Sequence, residues 1–339
     1  KNQHYWANDP RNPENRLPYI DVIETLIIPD ESTRLAGLRS GKLASITTVS
    51  QPLADGLIRT NPELKYKSYR WDGDSMSFNM TLPFWQDIRV RKAMQLALDN
   101  DSVVENYYNG FADATPFGVV GPAVLGFHIP FDEWPADLQA EYGYDPVEAE
   151  RLLDEAGLPR GADGIRFKAT YDICPQWIGM DVDHAQLTKA YYAAVGIDLE
   201  INVLERGTFL ERVFAHTYEG LTWARRGRDY IPAYYLRIMA GCDQRWNFPG
   251  TCDPVFDAIL DKADAATTLD EYKKFTIEAD MYYIKQHWTI MAPYRNVFTF
   301  WQPWLGGFSG ERNLFNAASA QGQFTRTWIE QDLKKEMGD

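Results

Sequence analysis

"FNMTLPFWQDIRVRKAMQLALDND", residues 78–101, opens as an extended run, meets Pro83 and continues as an amphipathic helix. Val90, Ala93, Met94 and Ala97 recur at helical spacing, while Arg89, Arg91, Lys92 and Gln95 take the other positions. That pattern predicts one packed face and one wet face. Pro83 sits upstream, where it cannot break the helix, and Gln86 and Asp87 set polar and acidic groups at its first turn. The stretch is therefore a switch from strand to helix, and the fold turns on what that switch connects.

A chain of 339 residues is long enough for two packed cores, and 45% hydrophobic with 14% aromatic residues excludes a disordered chain. No apolar run approaches the roughly 20 residues that span a bilayer. The opening KNQHYWANDP has no signal-peptide core, so either a signal was removed or this is not the natural start. A net charge of -14 argues against nucleic acid or an anionic membrane as the main partner. Cys174, Cys242 and Cys252 form no CxxC pair and have no zinc-like histidine spacing, so no structural metal is expected. Cys242 and Cys252 bracket CDQRWNFPGTC, whose turn residues bring the ends together. The two either form a bridge, which would imply an extracytoplasmic compartment, or stand as unpaired thiols.

Outward from the switch, the first third alternates strand and helix. YIDVIETLIIP (19–29) reads as a strand, Asp30 or Ser32 as the cap of a helix closed by Gly41, and 43–47 as the next strand. A helix over 52–60 and a strand in LKYKSYRW complete βαβ-type units feeding one sheet. Beyond the switch lie helices near 100–108, 146–156, 177–194, 206–216, 253–266 and 269–286, with strands at 165–172, 197–204 and 219–224. The Pro-, Gly- and aromatic-rich run over 113–143 reads as a long ordered loop. WTIMAPYRN and VFTFWQPW are the last strands, before a short helix near 326–335.

Several segments carry a family resemblance in order. They are NPENRLPYIDVIETLIIPDESTRLAGLRSGKLA, the opening stretch continued through NGFADA, YDPVEAERLLDEAGLP, AAVGIDLEINVL, and TCDPVFDAILDKADAATTLDEYKKFTIEAD. Together they resemble the family 5 extracellular solute-binding proteins of ABC importers, the group of dipeptide, oligopeptide and nickel binders. The resemblance implies an α/β, bilobal, periplasmic-binding-protein-like fold of type II, in the large peptide-binder class. Residues 1–79 with 296–339 would form a partial domain I and residues 80–295 domain III, with hinge crossovers near 77–83 and 292–299. Members of that family are longer and begin with a further strand and an extra domain, so the N-terminal segment and that domain are expected to be missing here.

The resemblance also points to TWARRGRDYIPAYYL, residues 222–236. In peptide-binding relatives the matching stretch supplies an aspartate to the ligand's ammonium group, and Asp229 matches it. The alternative is that Asp229 pairs with Arg226 or Arg228. Arg226 stands where those relatives often carry tryptophan, which favours a ligand bearing carboxylate or phosphate, because guanidinium forks bind such oxyanions. The alternative for Arg225, Arg226 and Arg228 is an ion-paired loop. Trp223, Tyr230 and Trp246 offer aromatic faces or simple core. Phe78 and Asn79 border the expected cleft, where Asn79 serves either a ligand or its own turn.

Catalysis has little support: GxSxG, P-loop, HExxH and dinucleotide fingerprints are all absent. DVDH (181–184) reads as a capped helix start rather than a metal site. The expectation is a non-enzymatic receptor without cofactor, periplasmic or otherwise extracytoplasmic and not membrane-spanning. It would act as a monomer, passing a peptide or related polar solute to a membrane permease. The alternatives are a receptor for an anionic sugar- or opine-type conjugate, and a hydrolase using dispersed carboxylates such as Asp229 and Asp243.

Overall fold

Contacts divide the chain into two units, residues 1–71 with 296–339 and residues 72–295. The computed structural model describes residues 4–28, 30–70, 73–122, 124–175, 182–226, 231–310 and 324–338, and for residues 73, 74, 225 and 226 the backbone alone. The first passage holds α1 (Glu31–Arg39), β1 (Ser45–Ser50), α2 (Gln51–Thr60) and β2 (Lys65–Arg70). Then come β3 (Gly73–Phe78), α3 (Ile88–Leu96), α4 (Asn100–Asn106), β4 (Ala112–Asp113), α5 (Ala136–Ala140), α6 (Pro146–Glu155) and β5 (Phe167–Ile173). α7 (Val182–Ala194), β6 (Ile197–Val203), α8 (Arg206–Phe214), β7 (Leu221–Arg226), α9 (Pro232–Ala240) and α10 (Pro254–Asp264) follow. α11 (Leu269–Gln286), β8 (Thr289–Met291), β9 (Tyr294–Trp301), β10 (Leu305–Gly306), β11 (Trp328–Ile329) and α12 (Gln331–Glu336) complete the order.

In the first unit the Asp30 carboxylate accepts the Thr33 N–H and starts α1, and Gly41, at φ +76°, supplies the left-handed turn that ends it. The expected βαβ pattern is present with one change: β1 and β2 are not neighbours. Each pairs antiparallel with β9, which inserts between them from the far end of the chain. Leu35, Leu38, Val49 and Leu57 bury against Phe298 and Phe300 to form this unit's core. The strand expected over 19–29 is a correction. Residues 19–28 form no strand, and Val22, Ile23, Leu26 and Ile27 are exposed. β-branched residues favour a strand only where a ladder partner and a packing face exist, and no described strand pairs with this one.

The second unit is built on a five-stranded sheet in the order β6-β5-β7-β3-β8. β5 lies parallel to β6 and β7, and β3 runs antiparallel to both β7 and β8. The chain thus enters this unit before β3, at 71–72, earlier than the crossover expected near 77–83, because β3 is laddered on both sides within this sheet. It leaves at 295–296.

The opening stretch joins these two points. After β3 the chain makes a 3-10 turn over Pro83–Gln86, and the Asp87 carboxylate accepts the Arg89 N–H to start α3. Arg91 and Gln95, expected on the wet face, are buried instead. The Arg91 guanidinium donates to the Gln286 carbonyl at the end of α11 and to the Trp85 carbonyl, so burial lowers its pKa to about 10 without leaving it unpaired. Gln95 accepts the Met291 N–H at 2.7 Å, and Asn100 donates to the Met291 carbonyl at 2.9 Å. These amides satisfy the backbone of edge strand β8 on the side where no described strand lies. The helix after the switch thus ties the 3-10 turn before it to the end of α11 and to β8.

Two further departures concern helices. α9 occupies part of the stretch read as a binding loop: Pro232 sits at its first turn and Ala233, Leu236 and Ala240 bury into the core. The long loop over 113–143 contains α5, and the Asp280 carboxylate of α11 accepts the Val119 and Val120 N–H groups to hold it. Gly118 is required there, since a Cβ would lie 2.2 Å from an Asp280 oxygen. The expected helix start at 177–181 and the Gly/Ser/Asn-rich stretch at 311–323 lie outside the described residues.

Candidate functional site

β5, β6, β7 and β8 point the same way, so their carboxyl ends share one edge of the second unit's sheet. β3 begins at that same edge, with Gly73 opposite Arg226 and Asp74 opposite Arg225. Both passages of chain into and out of the unit, at 71–72 and 295–296, adjoin it. Ligands of open α/β sheets bind outside the carboxyl ends of the strands, where loops replace ladder and backbone groups become available. Asp229 and Tyr230 lie outside the described residues, between β7 and α9 in the sequence.

The remaining expected site residues do not converge there. Trp223, in the middle of β7, is buried in the main core beside Met76 of β3. Phe78 is wholly buried at the other end of β3, its ring 5.2 Å from that of Trp85. Asn79 is also wholly buried: its amide donates to the carbonyls of His216 and Tyr218, and its oxygen accepts from the N–H and hydroxyl of Thr81. Every hydrogen-bonding position of that side chain serves the turn. Trp246 is 42% exposed and packs on Phe214 and Phe248 in the same region. Phe78, Asn79 and Trp246 therefore belong to the amino edge, separated from Arg226 by the length of β7, roughly 17 Å for a six-residue strand.

Tyr218 and Asn247, which the sequence did not single out, help to close the amino edge. The Tyr218 hydroxyl donates to the carbonyls of Phe78 and Phe248, and the Met80 N–H donates to Pro249. Cys242 and Cys252 form a disulfide, and Asn247, buried inside the loop they close, donates to the Gly241 and Thr251 carbonyls while accepting from Thr251. The polar residues Tyr218 and Asn247 carry no periodic signal, which is why pattern reading passed over them.

One face of the sheet carries a polar row, buried at all but its last member, Asn202. Thr289, Ser77, Thr222, Asp172 and Asn202 stand in register across the five strands. Burial pushes the Asp172 carboxyl up, opposed by the Asn202 amide at 2.8 Å and the Arg212 guanidinium of α8 at 3.0 Å. The hydroxyls of Ser75 and Ser77 are buried with no hydrogen-bond partner. Among the described residues no three His, Cys, Asp or Glu side chains converge as a metal site, and no helix is long and apolar enough to cross a membrane.

Residues 1–247 match the family model of the bacterial extracellular solute-binding proteins, family 5 Middle. The dipeptide-binding protein of Escherichia coli (strain K12) is 24% identical over 280 residues, covering 80% of this chain and 47% of that protein. Heme-binding protein A of Haemophilus influenzae is 24% identical over 286 residues, covering 82% and 48%. The chain spans about half the length of the curated relatives it matches. Among solved structures, the periplasmic binding protein DppA of Helicobacter pylori in complex with peptide STSA superposes with a TM-score of 0.72 at 21% identity, over 89% of this chain and 56% of that one. The binding protein AgaA of A. tumefaciens R10 in complex with agropinic acid gives a TM-score of 0.73 at 19% identity, over 95% and 64%. These likenesses show the α/β fold of the bilobal periplasmic binding proteins. With the family model matched over residues 1–247 of 339, the chain belongs to the bacterial extracellular solute-binding proteins, family 5.

Proposed function

We propose that this chain acts in solute capture for an ABC importer. It binds a peptide or a related small polar solute at the carboxyl edge of the second unit's sheet and delivers it, unchanged, to a membrane permease. The observation that carries this reading is the meeting of three features at one edge: the carboxyl ends of four strands, the arginine-bearing end of β7, and both passages of chain between the units.

Binding rather than catalysis is favoured because the relatives are binding proteins. An extracytoplasmic location is supported by the Cys242–Cys252 disulfide, which reducing compartments would keep open. Asp229 remains the proposed partner of a ligand ammonium, with Tyr230 beside it in sequence, and the chain is proposed to work as a monomer. Two ligand classes fit, since structural neighbours hold a peptide in one case and agropinic acid in another.

Thermal-shift screening against di- and oligopeptides, opine-type conjugates and oligosaccharides tests the reading. A ligand at a hundred times its dissociation constant stabilises the fold by about 2.7 kcal/mol. The expected result is a shift with peptides or opines, abolished in Asp229→Ala, with the ligand recovered intact. Ligand turnover, or no shift across the panel, overturns it.

A further inference from the structure

Three aromatic rings gather at the carboxyl edge of the second unit's sheet. His184 lies in the first turn of α7, which leads from the carboxyl end of β5 back to the start of β6, so this end of the helix stands at that edge. Tyr107 and Tyr108 follow α4, a few residues before β4, which pairs with Tyr294 and Arg295 just past the end of β8. The two tyrosine rings lie 6.1 and 6.3 Å from the His184 ring and 4.8 Å from each other. All three spacings fall within the roughly 4.5–7 Å over which aromatic rings attract. The backbone fixes the tyrosines: the N–H groups of both donate to the Val103 carbonyl, and Asn109 and Gly110, at φ +50° and +77°, turn the chain toward β4.

The group is more than an extension of the core. Further along α7, Tyr191 packs against the unit's main hydrophobic core, whereas Tyr107 and Tyr108 join none of the hydrophobic cores among the described residues. All three rings are half-buried, so each keeps surface at the edge. Apolar surface is also exposed elsewhere on this edge: Phe111, three residues past Tyr108, is 41% exposed, and Val203, the last residue of β6, is 56% exposed. Resting on the solute-capture reading, we infer that Tyr107, Tyr108 and His184 form a subsite for an aromatic side chain of the solute. A planar ring entering such a group meets faces and edges together, where the negative face of one ring attracts the positive edge of another. An aliphatic side chain buries similar area without that attraction, so the subsite discriminates by aromaticity and not by size alone.

The test is calorimetric titration with L-alanyl-L-phenylalanine and L-alanyl-L-leucine, with a thermal melt of each protein. The parent is expected to prefer the phenylalanine dipeptide by roughly tenfold, the size of two or three ring contacts. Tyr107→Leu combined with Tyr108→Leu keeps apolar bulk and should bind the two dipeptides alike, and His184→Leu reduces the preference a few-fold. Tyr107→Phe combined with Tyr108→Phe keeps the rings without their hydroxyls and should retain the preference, which a merely structural role for the tyrosines would not predict. Equal affinities in the parent, a preference that survives the double leucine variant, or one lost in the double phenylalanine variant overturns the assignment. Failure of both dipeptides where other solutes bind also removes it and leaves solute capture standing; failure of every solute removes both.

Discussion

The two ends of the second unit's sheet are made of the same strands and treat polar groups in opposite ways. At the amino edge every prominent polar side chain is spent on the fold: Asn79 on three neighbouring residues, Tyr218 on two carbonyls, and Asn247 on the interior of a disulfide-closed loop. At the carboxyl edge the strands end in paired arginines, a glycine faces one of them, and the chain passes to the other unit nearby. The difference teaches that an end closed by satisfied amides is a fixed base. Buried hydrogen bonds already made have nothing left to offer a solute, and the proposed site lies at the other end.

The strongest way to break that contrast is Asn79→Ala. It leaves buried carbonyls of His216 and Tyr218 without donors and should destabilise by roughly 2–4 kcal/mol in urea unfolding. Ligand affinity per folded molecule should be untouched. A loss of affinity without a loss of stability would put the amino edge back into the site. Next in size is Cys242→Ser with Cys252→Ser. Freeing a loop of this length costs at most about 2–3 kcal/mol, and the Asn247 hydrogen bonds hold the loop independently, so the measured loss should fall below that limit.

A third test uses pH. His287, almost wholly buried between α11 and β8, is held below the ordinary histidine value by burial, its ring nitrogen 2.9 Å from Glu141 and its ring stacked on Tyr142. Burial raises the Glu141 carboxyl, but hydrogen bonds from His287 and Lys92 outweigh it and hold it below the ordinary value. Both folded values are depressed, so the unfolded chain takes up these protons first. Stability is complete above the ordinary histidine value of 6.5, falls as the pH drops below it, and falls further below 4.5 as Glu141 joins. His287→Gln should flatten the upper part of that decline in a series of thermal melts. The smallest effect is expected from Ser77→Ala, which removes a buried hydroxyl that has no partner and should change stability by less than about 0.5 kcal/mol, with a gain as readily as a loss.

Most of the elements were legible before the structure. α3, α6, α8, α10 and α11 lie where apolar spacing put them, and Asp30, Asp87 and Asp253 cap the helices they precede. These are local features, set by neighbours three or four residues away. What was misread depended on distant partners. Residues 19–28 have the composition of a strand and no ladder, and Arg91 and Gln95 look solvated by period yet are buried because α11 and β8 present carbonyls to them. The same limit applied to the described residues chosen for the site: Phe78, Asn79 and Trp246 stand at the amino edge and Trp223 lies in the core, and the disulfide was left open until its ends were seen together.

The sequence by itself determined the family, the succession of helices and strands, and the arginine-rich end of β7, because each is written in local order and spacing. Tertiary structure alone decided that β9 separates β1 from β2, that β3 belongs to the second unit, and which arginine stands opposite an acid and which opposite a glycine. The physical reason is register: strand pairing joins residues far apart in the chain, and a shift of a single residue would set both arginines opposite different partners without altering any local pattern.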